Sequence, residues 1–194
     1  MKVAVFCGSG DGDDAAYAQA AEATGRAIGS RGWTLVYGGG SAGLMGRVAR
    51  ATQAAGGAVV GVIPGSMMAV EVAFEAAEEL VVTGTMRERK QAMDDRADAF
   101  VVLPGGFGTL EELAEVVTHR FLNHHAKPVV IVDVNGFWSP LRTLFEHFEG
   151  SRFAGRGYRD AYRFVATAEE AVAALGGGGG ATAGPPPPAT TVRA

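Results

Sequence analysis

An apolar run, Ala99-Phe-Val-Val-Leu103, meets Pro104, and glycines then stand at 105, 106 and 108 before an amphipathic stretch opens at Thr109 and continues to about His124. The run reads as a fully buried strand. Proline ends it, and the glycines permit backbone angles and close approaches that a Cβ would block. This is a strand, a glycine turn and a helix N-terminus. The free N–H groups of a helix's first turn, together with its dipole, favour an anion there, and a phosphate is the natural candidate. The same letters have a plainer reading. Thr109-Leu-Glu-Glu112 fits a capping box, in which Thr109 caps the helix and Glu112 reaches back to it.

The strand–loop–helix pattern recurs along the chain. Strands are expected at Lys2–Phe6, Trp33–Tyr37, Ala58–Ile63, Leu80–Thr83, Ala99–Leu103, Pro128–Asp133 and, last and shortest, Arg163–Ala166. Helices are expected between them: to about Ser30 from a cap at Asp13 or Asp14, Leu44–Ala55, Met86–Asp95 with Thr85 and Glu88 as a capping box, Thr109–His124, Phe137–Phe148 and Glu169–Leu175. Strands alternating with helices at this spacing indicate an α/β fold with a parallel sheet covered on both faces. Right-handed crossovers bring the loops that follow the strands to one edge, and ligands of such sheets bind there. Three glycine-rich loops follow strands: Gly8–Gly12, Gly38–Gly43 and Gly105–Gly108.

The length of 194 residues fits one domain with a sizeable core, here residues 1–175. From Gly176 the chain is glycine-rich, then Pro185–Pro188, and residues 176–194 read as a disordered low-complexity tail. A net charge of −4 offers no basic surplus for nucleic acid. The apolar start, Met1–Cys7, runs too soon into Gly8 for a secretion signal, and no apolar run approaches the ~20 residues of a membrane span. With Cys7 as the sole cysteine no internal disulfide can form, and a cytoplasmic setting is expected.

Several residue patterns bear on chemistry. Gly38-x-Gly40-x-x-Gly43 after a strand spells the dinucleotide fingerprint, yet the acid expected about 20 residues on is replaced by Val62-Ile63-Pro64. A small phosphate, such as a nucleoside monophosphate, needs no such acid. Arg87, Arg89 and Lys90 crowd a helix start, where the dipole disfavours cations; an anionic ligand or carboxylate would compensate them. Cys7 lacks an evident histidine partner and reads as a small core residue. His119, His124 and His125 are spaced by five and six, outside the three or four of helical metal pairs, so no metal is expected. Met67 and Met68 read as packing, although soft apolar walls also suit a flat base.

Taken together, Gly38-Gly-Gly-Ser-Ala-Gly-Leu-Met-Gly46, Met86-x-x-Arg89-Lys90 and Pro104-Gly-Gly-Phe-Gly-Thr-Leu-Glu-Glu112 resemble the LONELY GUY family, in the right order from Val3 to about Phe148. Its members are cytokinin riboside 5′-monophosphate phosphoribohydrolases, often mislabelled lysine decarboxylases. The resemblance implies a Rossmann-like three-layer fold with a mostly parallel sheet, assembled as a homodimer. It implies hydrolysis of the N-glycosidic bond of a nucleoside 5′-monophosphate, AMP included, to free base and ribose 5-phosphate, with no cofactor. Arg89 and Glu112 correspond to the family's catalytic pair. Glu71, Lys90, Gly106, Phe107, Gly108, Thr109, Leu110, Glu111 and Thr118 correspond to substrate contacts. Gly38, Gly39, Gly40 and Gly105 are phosphate-loop candidates. Arg87 departs from the histidine common there. A carboxylate beside the anomeric carbon would stabilise the charge that builds on the sugar, and Arg89 would hold it ionised. A non-catalytic nucleotide or cofactor carrier, or a sensor, of the same fold is the competing expectation; it would keep the phosphate loops without needing Arg89 paired with Glu112.

Overall fold

A computed structural model describes residues 1–68 and 72–176. Within them lie seven strands, β1 (Lys2–Phe6), β2 (Thr34–Tyr37), β3 (Ala58–Pro64), β4 (Glu79–Thr83), β5 (Ala99–Val102), β6 (Val129–Val132) and β7 (Arg163–Val165). Six helices accompany them, α1 (Ala15–Gly29), α2 (Gly43–Ala54), α3 (Met86–Arg96), α4 (Phe107–Phe121), α5 (Ser139–Gly150) and α6 (Ala168–Gly176), and between β3 and β4 the described residues hold a 3-10 turn, Gly65–Met67. The strands form one sheet in the order β4-β3-β2-β1-β5-β6-β7, and every pairing is parallel.

The period-2 alternation of the strands divides the interior. Val3, Val5 and Cys7 of β1 and its end join Leu35, Tyr37, Val101 and Leu103 beneath α1, α2 and α6. Ala4 and Phe6 join Val36, Phe100 and Val102 beneath α3, α4 and α5. Each strand pointing side chains to both faces accounts for the unbroken apolar runs in the sequence. Helix starts follow the local chemistry. Asp14 caps α1, accepting from the Ala16 amide at 2.8 Å, a contact of the kind worth about 1 kcal/mol. Thr85 Oγ1 accepts from the Glu88 amide at 3.2 Å, and the Glu88 carboxylate returns to the Gly84 amide at 2.7 Å.

The expected α4 cap is corrected. The helix begins at Phe107, its N-cap is Gly106, and no side chain caps it. Thr109 lies inside the first turn with only 4% exposure, so Thr109 and Glu112 form no capping box. The helix expected from Phe137 starts at Ser139, after a short 3-10 turn over Val134–Gly136. The closing helix takes in Gly176, and the expected tail beyond it lies outside the described residues.

The sheet order fixes where a ligand can sit. From β1 the chain winds outward through β2, β3 and β4, then returns to the other side of β1 for β5, β6 and β7. The winding reverses between β1 and β5, so the loops after these two strands part to opposite faces and leave a crevice at their carboxyl ends. The crevice has a firm floor: the Leu103 amide donates to the Phe6 carbonyl at 2.9 Å, and the Gly8 amide to the Pro104 carbonyl at 3.0 Å.

Candidate active site

A cleft of about 320 Å³ opens over this switch point. The end of β1 and its loop supply Phe6, Cys7, Gly8 and Ser9; α3 supplies Met86, Arg89 and Met93; the start of α4 supplies Gly106 to Thr109, Glu111 and Glu112. A second cleft of about 380 Å³ adjoins it through Gly8, Ser9 and Gly106, and runs past Gly105, Leu44 and Phe137 towards Tyr17.

The first turn of α4 faces the cleft. Its first intrahelical bond runs from the Leu110 amide to the Gly106 carbonyl at 3.0 Å. The amides of Phe107, Gly108 and Thr109 precede that bond, so helix geometry leaves them without an intrahelical acceptor. With no side-chain cap, this end of the dipole is open to an anion. Gly105 makes the tight entry possible: a Cβ there would lie 2.1 Å from Thr109 Oγ1 and 2.9 Å from the Gly8 nitrogen.

Arg89 is 5% exposed and enters from α3. Its Nε donates to the Val62 carbonyl at 3.1 Å and its Nη2 to the Gly38 carbonyl at 2.8 Å, at the ends of β3 and β2. A guanidinium has several donors in a fixed fork, so two strand-end carbonyls fix its plane at the cleft wall. Glu112 is half-buried on α4 and lines the same cleft. Burial, with the nearby charge of Glu112 adding to it, pushes the Cys7 thiol above its ordinary value. Cys7 is therefore a neutral wall of the cleft, consistent with its reading as a core residue.

Lys90 and Glu111 are paired with each other in this structure. Lys90 Nζ pairs with the Glu111 carboxylate and, at 2.9 Å, with Glu115, tying α3 to α4. The hydrogen bond to Glu111, with Glu115 adding to it, holds the Lys90 ammonium above its ordinary value against partial desolvation. Of the other sequence candidates, Gly38 lines the cleft. Gly39 and Gly40 are buried and engage the 72–74 segment: the Gly39 carbonyl accepts from the Phe74 amide at 2.8 Å, and Gly40 bridges to Ala73. Leu110 packs in the α3–α5 core, and Thr118 lies half-buried about two turns further along α4. Glu71 lies outside the described residues.

Sequence reading did not single out the wall of the cleft. Met45, Met67, Met86 and Met93, four of the chain's six methionines, line it. Only Met67 was visible as a candidate, because its neighbours come from two other elements, Met45 from α2 and Met86 and Met93 from α3, and meet it only in the fold. Ser9 also lines the cleft, and its signal was its place in the glycine loop after β1. Among the described residues no group of three or more His, Cys, Asp or Glu side chains converges as a metal site would need, and no helix is long and apolar enough to cross a membrane.

A family model described as "Possible lysine decarboxylase" matches residues 45–175, which include Arg89 and the whole 104–112 motif. The cytokinin riboside 5′-monophosphate phosphoribohydrolase of Mycobacterium tuberculosis is 51% identical over 140 residues, covering 72% of this chain and 74% of that protein. The chain belongs to the LONELY GUY family. The relative of that name from Oryza sativa subsp. japonica is 43% identical over 174 residues, covering 90% of this chain and 72% of the rice protein. The molybdenum cofactor carrier protein of Chlamydomonas reinhardtii superposes with a TM-score of 0.69 over 90% of this chain and 95% of its own, at 23% identity, a likeness of fold alone. The family's fold is thus the one described above, a parallel sheet between two helical layers.

Proposed function

We propose that this chain hydrolyses the N-glycosidic bond of cytokinin riboside 5′-monophosphates, and of AMP, releasing free base and ribose 5-phosphate. The observation that carries the reading is the meeting, in one cleft, of an uncapped helix N-terminus with a buried arginine and a carboxylate on that same helix. The relatives' names supply the substrate class.

In this reading the 5′-phosphate takes the amides of Phe107, Gly108 and Thr109. Glu112 follows Phe107 by five residues, about 7.5 Å along the axis, a separation suited to a ribose phosphate held at one end and cleaved at the other. As the bond to the base lengthens, positive charge builds on the sugar ring, and the Glu112 carboxylate stabilises it. Water adds at the anomeric carbon, its hydroxyl staying on the sugar and a proton leaving with the base nitrogen. Arg89, fixed by two backbone carbonyls, supplies a cation beside the carboxylate and the ligand without having to be ordered by substrate. The polarisable wall of Met45, Met67, Met86 and Met93 suits the flat face of a purine.

The reading extends to the assembly. Phe107 is 92% exposed and Met86 44% exposed at the mouth of the cleft, and a homodimer partner that completes the site would cover them. A reducing cytoplasm is the setting that a single buried thiol suits.

The test is release of free base from AMP, from isopentenyladenosine 5′-monophosphate and from adenosine by the purified full chain. Each charge-assisted hydrogen bond is worth roughly 1.5–3 kcal/mol, so adenosine, lacking the phosphate, should react at least about 10²-fold more slowly than AMP. Equal turnover of adenosine and AMP would refute the assigned phosphate site.

A further inference from the structure

Gly38 stands at the end of β2, in the glycine-rich loop whose letters suggest a phosphate cradle. Its surroundings suggest another task. A Cβ on Gly38 would lie 2.0 Å from Arg89 Nη2 and 3.1 Å from Arg89 Cζ, with Met45 Sδ next at 3.0 Å. No backbone atom is among these nearest neighbours, and the φ of Gly38 is not in the left-handed region. Gly39, the next residue, differs: its φ of +81° demands glycine for the backbone itself. At position 38 a side chain is excluded by the guanidinium and the tip of one thioether, which can give way. The guanidinium cannot give way without losing its place, because the same residue's carbonyl holds Nη2 at 2.8 Å and Val62 holds Nε at 3.1 Å.

We infer that Gly38 is a positioning residue for Arg89: its carbonyl holds the guanidinium, and its missing side chain is the space the guanidinium occupies. The loop after β2 thereby serves the arginine, and the anion is left to the start of α4. The inference rests on the reading above, in which Arg89 assists cleavage.

The experiment is Gly38→Ala in the full chain, alone and combined with Arg89→Lys, read by kcat and KM for AMP, by thermal melting and by a crystal structure. The expected structure keeps the β2 backbone and shows the guanidinium displaced from the Gly38 and Val62 carbonyls. The expected kinetics are a fall in kcat of about 10²-fold, as a misplacement of about an ångström can cause, with KM changed by less than about threefold because the α4 amides are untouched. In the Arg89→Lys background, where no Nη2 is present to collide, Gly38→Ala should add little. A Gly38→Ala protein with the guanidinium in place and kcat unchanged overturns the inference. Should Gly38→Ala melt far below the parent, the double variant decides. Recovery assigns the clash to the guanidinium, and no recovery overturns the inference. The two readings fail separately: an Arg89→Ala enzyme with parental turnover ends the catalytic role of Arg89, while a displaced guanidinium in Gly38→Ala leaves the seat itself standing.

Discussion

Replacing Glu112 with glutamine removes one charge and keeps the shape, and the structure sets apart its effects on folding and on chemistry. Glu112 lies beyond the first turn of α4, whose N-cap is Gly106, so no cap is lost and the roughly 1 kcal/mol of a capping contact is not at stake. Glutamine still accepts hydrogen bonds through its amide oxygen, and the melting transition should stay close to that of the parent. Chemistry should not. Two unit charges about 4 Å apart near a protein surface interact by about 4 kcal/mol, and a full loss of that term from the transition state is about three decades in rate. Only part of a unit charge develops on the sugar, so base release from AMP should fall between about 10²- and 10³-fold. Glu111→Gln is the matched control. Glu111 is 59% exposed and Lys90 keeps Glu115 at 2.9 Å when the Glu111 pair is lost, so turnover should stay within about threefold. The assay is chromatographic detection of adenine over hours, beside urea unfolding of each variant. A folded Glu112→Gln protein that releases base within tenfold of the parent refutes the argument, as does a Glu111→Gln protein impaired equally.

Two further outcomes are expected. His125 is half-buried against Phe100 and the Val116 carbonyl, and burial, opposed by the nearby Asp94, lowers its pKa below the ordinary 6.5; the unfolded chain then binds the proton first, so this contribution to stability is present above about pH 6.5 and is lost as pH falls towards the folded value. Urea midpoints between pH 7.5 and 5 should show a decline that His125→Gln makes shallower, and an unchanged slope in the variant removes His125 as the cause. For the assembly, light scattering at micromolar concentration should give at least twice the 20.0 kDa chain mass, and a stable species of one chain mass would count against a site completed by a neighbour.

The fold was largely legible because each strand is an apolar run closed by glycine, proline or a polar residue. Lys2–Phe6 falls where the pattern puts it, β3 runs one residue past the expected Ala58–Ile63, and Asp14 caps α1 as its type suggests. The start of α4 was not legible. Thr109 and Glu112 spell a capping box, but Thr109 is drawn into the first turn, where its hydroxyl packs over Gly105, and Gly106 takes the cap. That outcome depends on the approach of Gly105 to Gly8 across the β1–β5 pair, a tertiary contact that local letters do not carry. Arg89 stood out as a cation where the helix dipole disfavours one. Two of its partners, the carbonyls of Gly38 and Val62, are backbone atoms with no signature in the sequence.

The division of the interior by the sheet bears on how this chain can be altered. Arg89 and Glu112 both ride on the α3–α5 layer. On the opposite side, Ala21 and Ile28 of α1 pack with Ala171 and Val172 of α6 in a separate apolar cluster. Changes to those four residues can drift or be engineered for heat tolerance while the sheet shields the reacting groups from them. The same volume changes under α3 or α4 would shift the arginine or the carboxylate. The α1–α6 contact is thus open to stability selection, while the residues under α3 and α4 are held by chemistry.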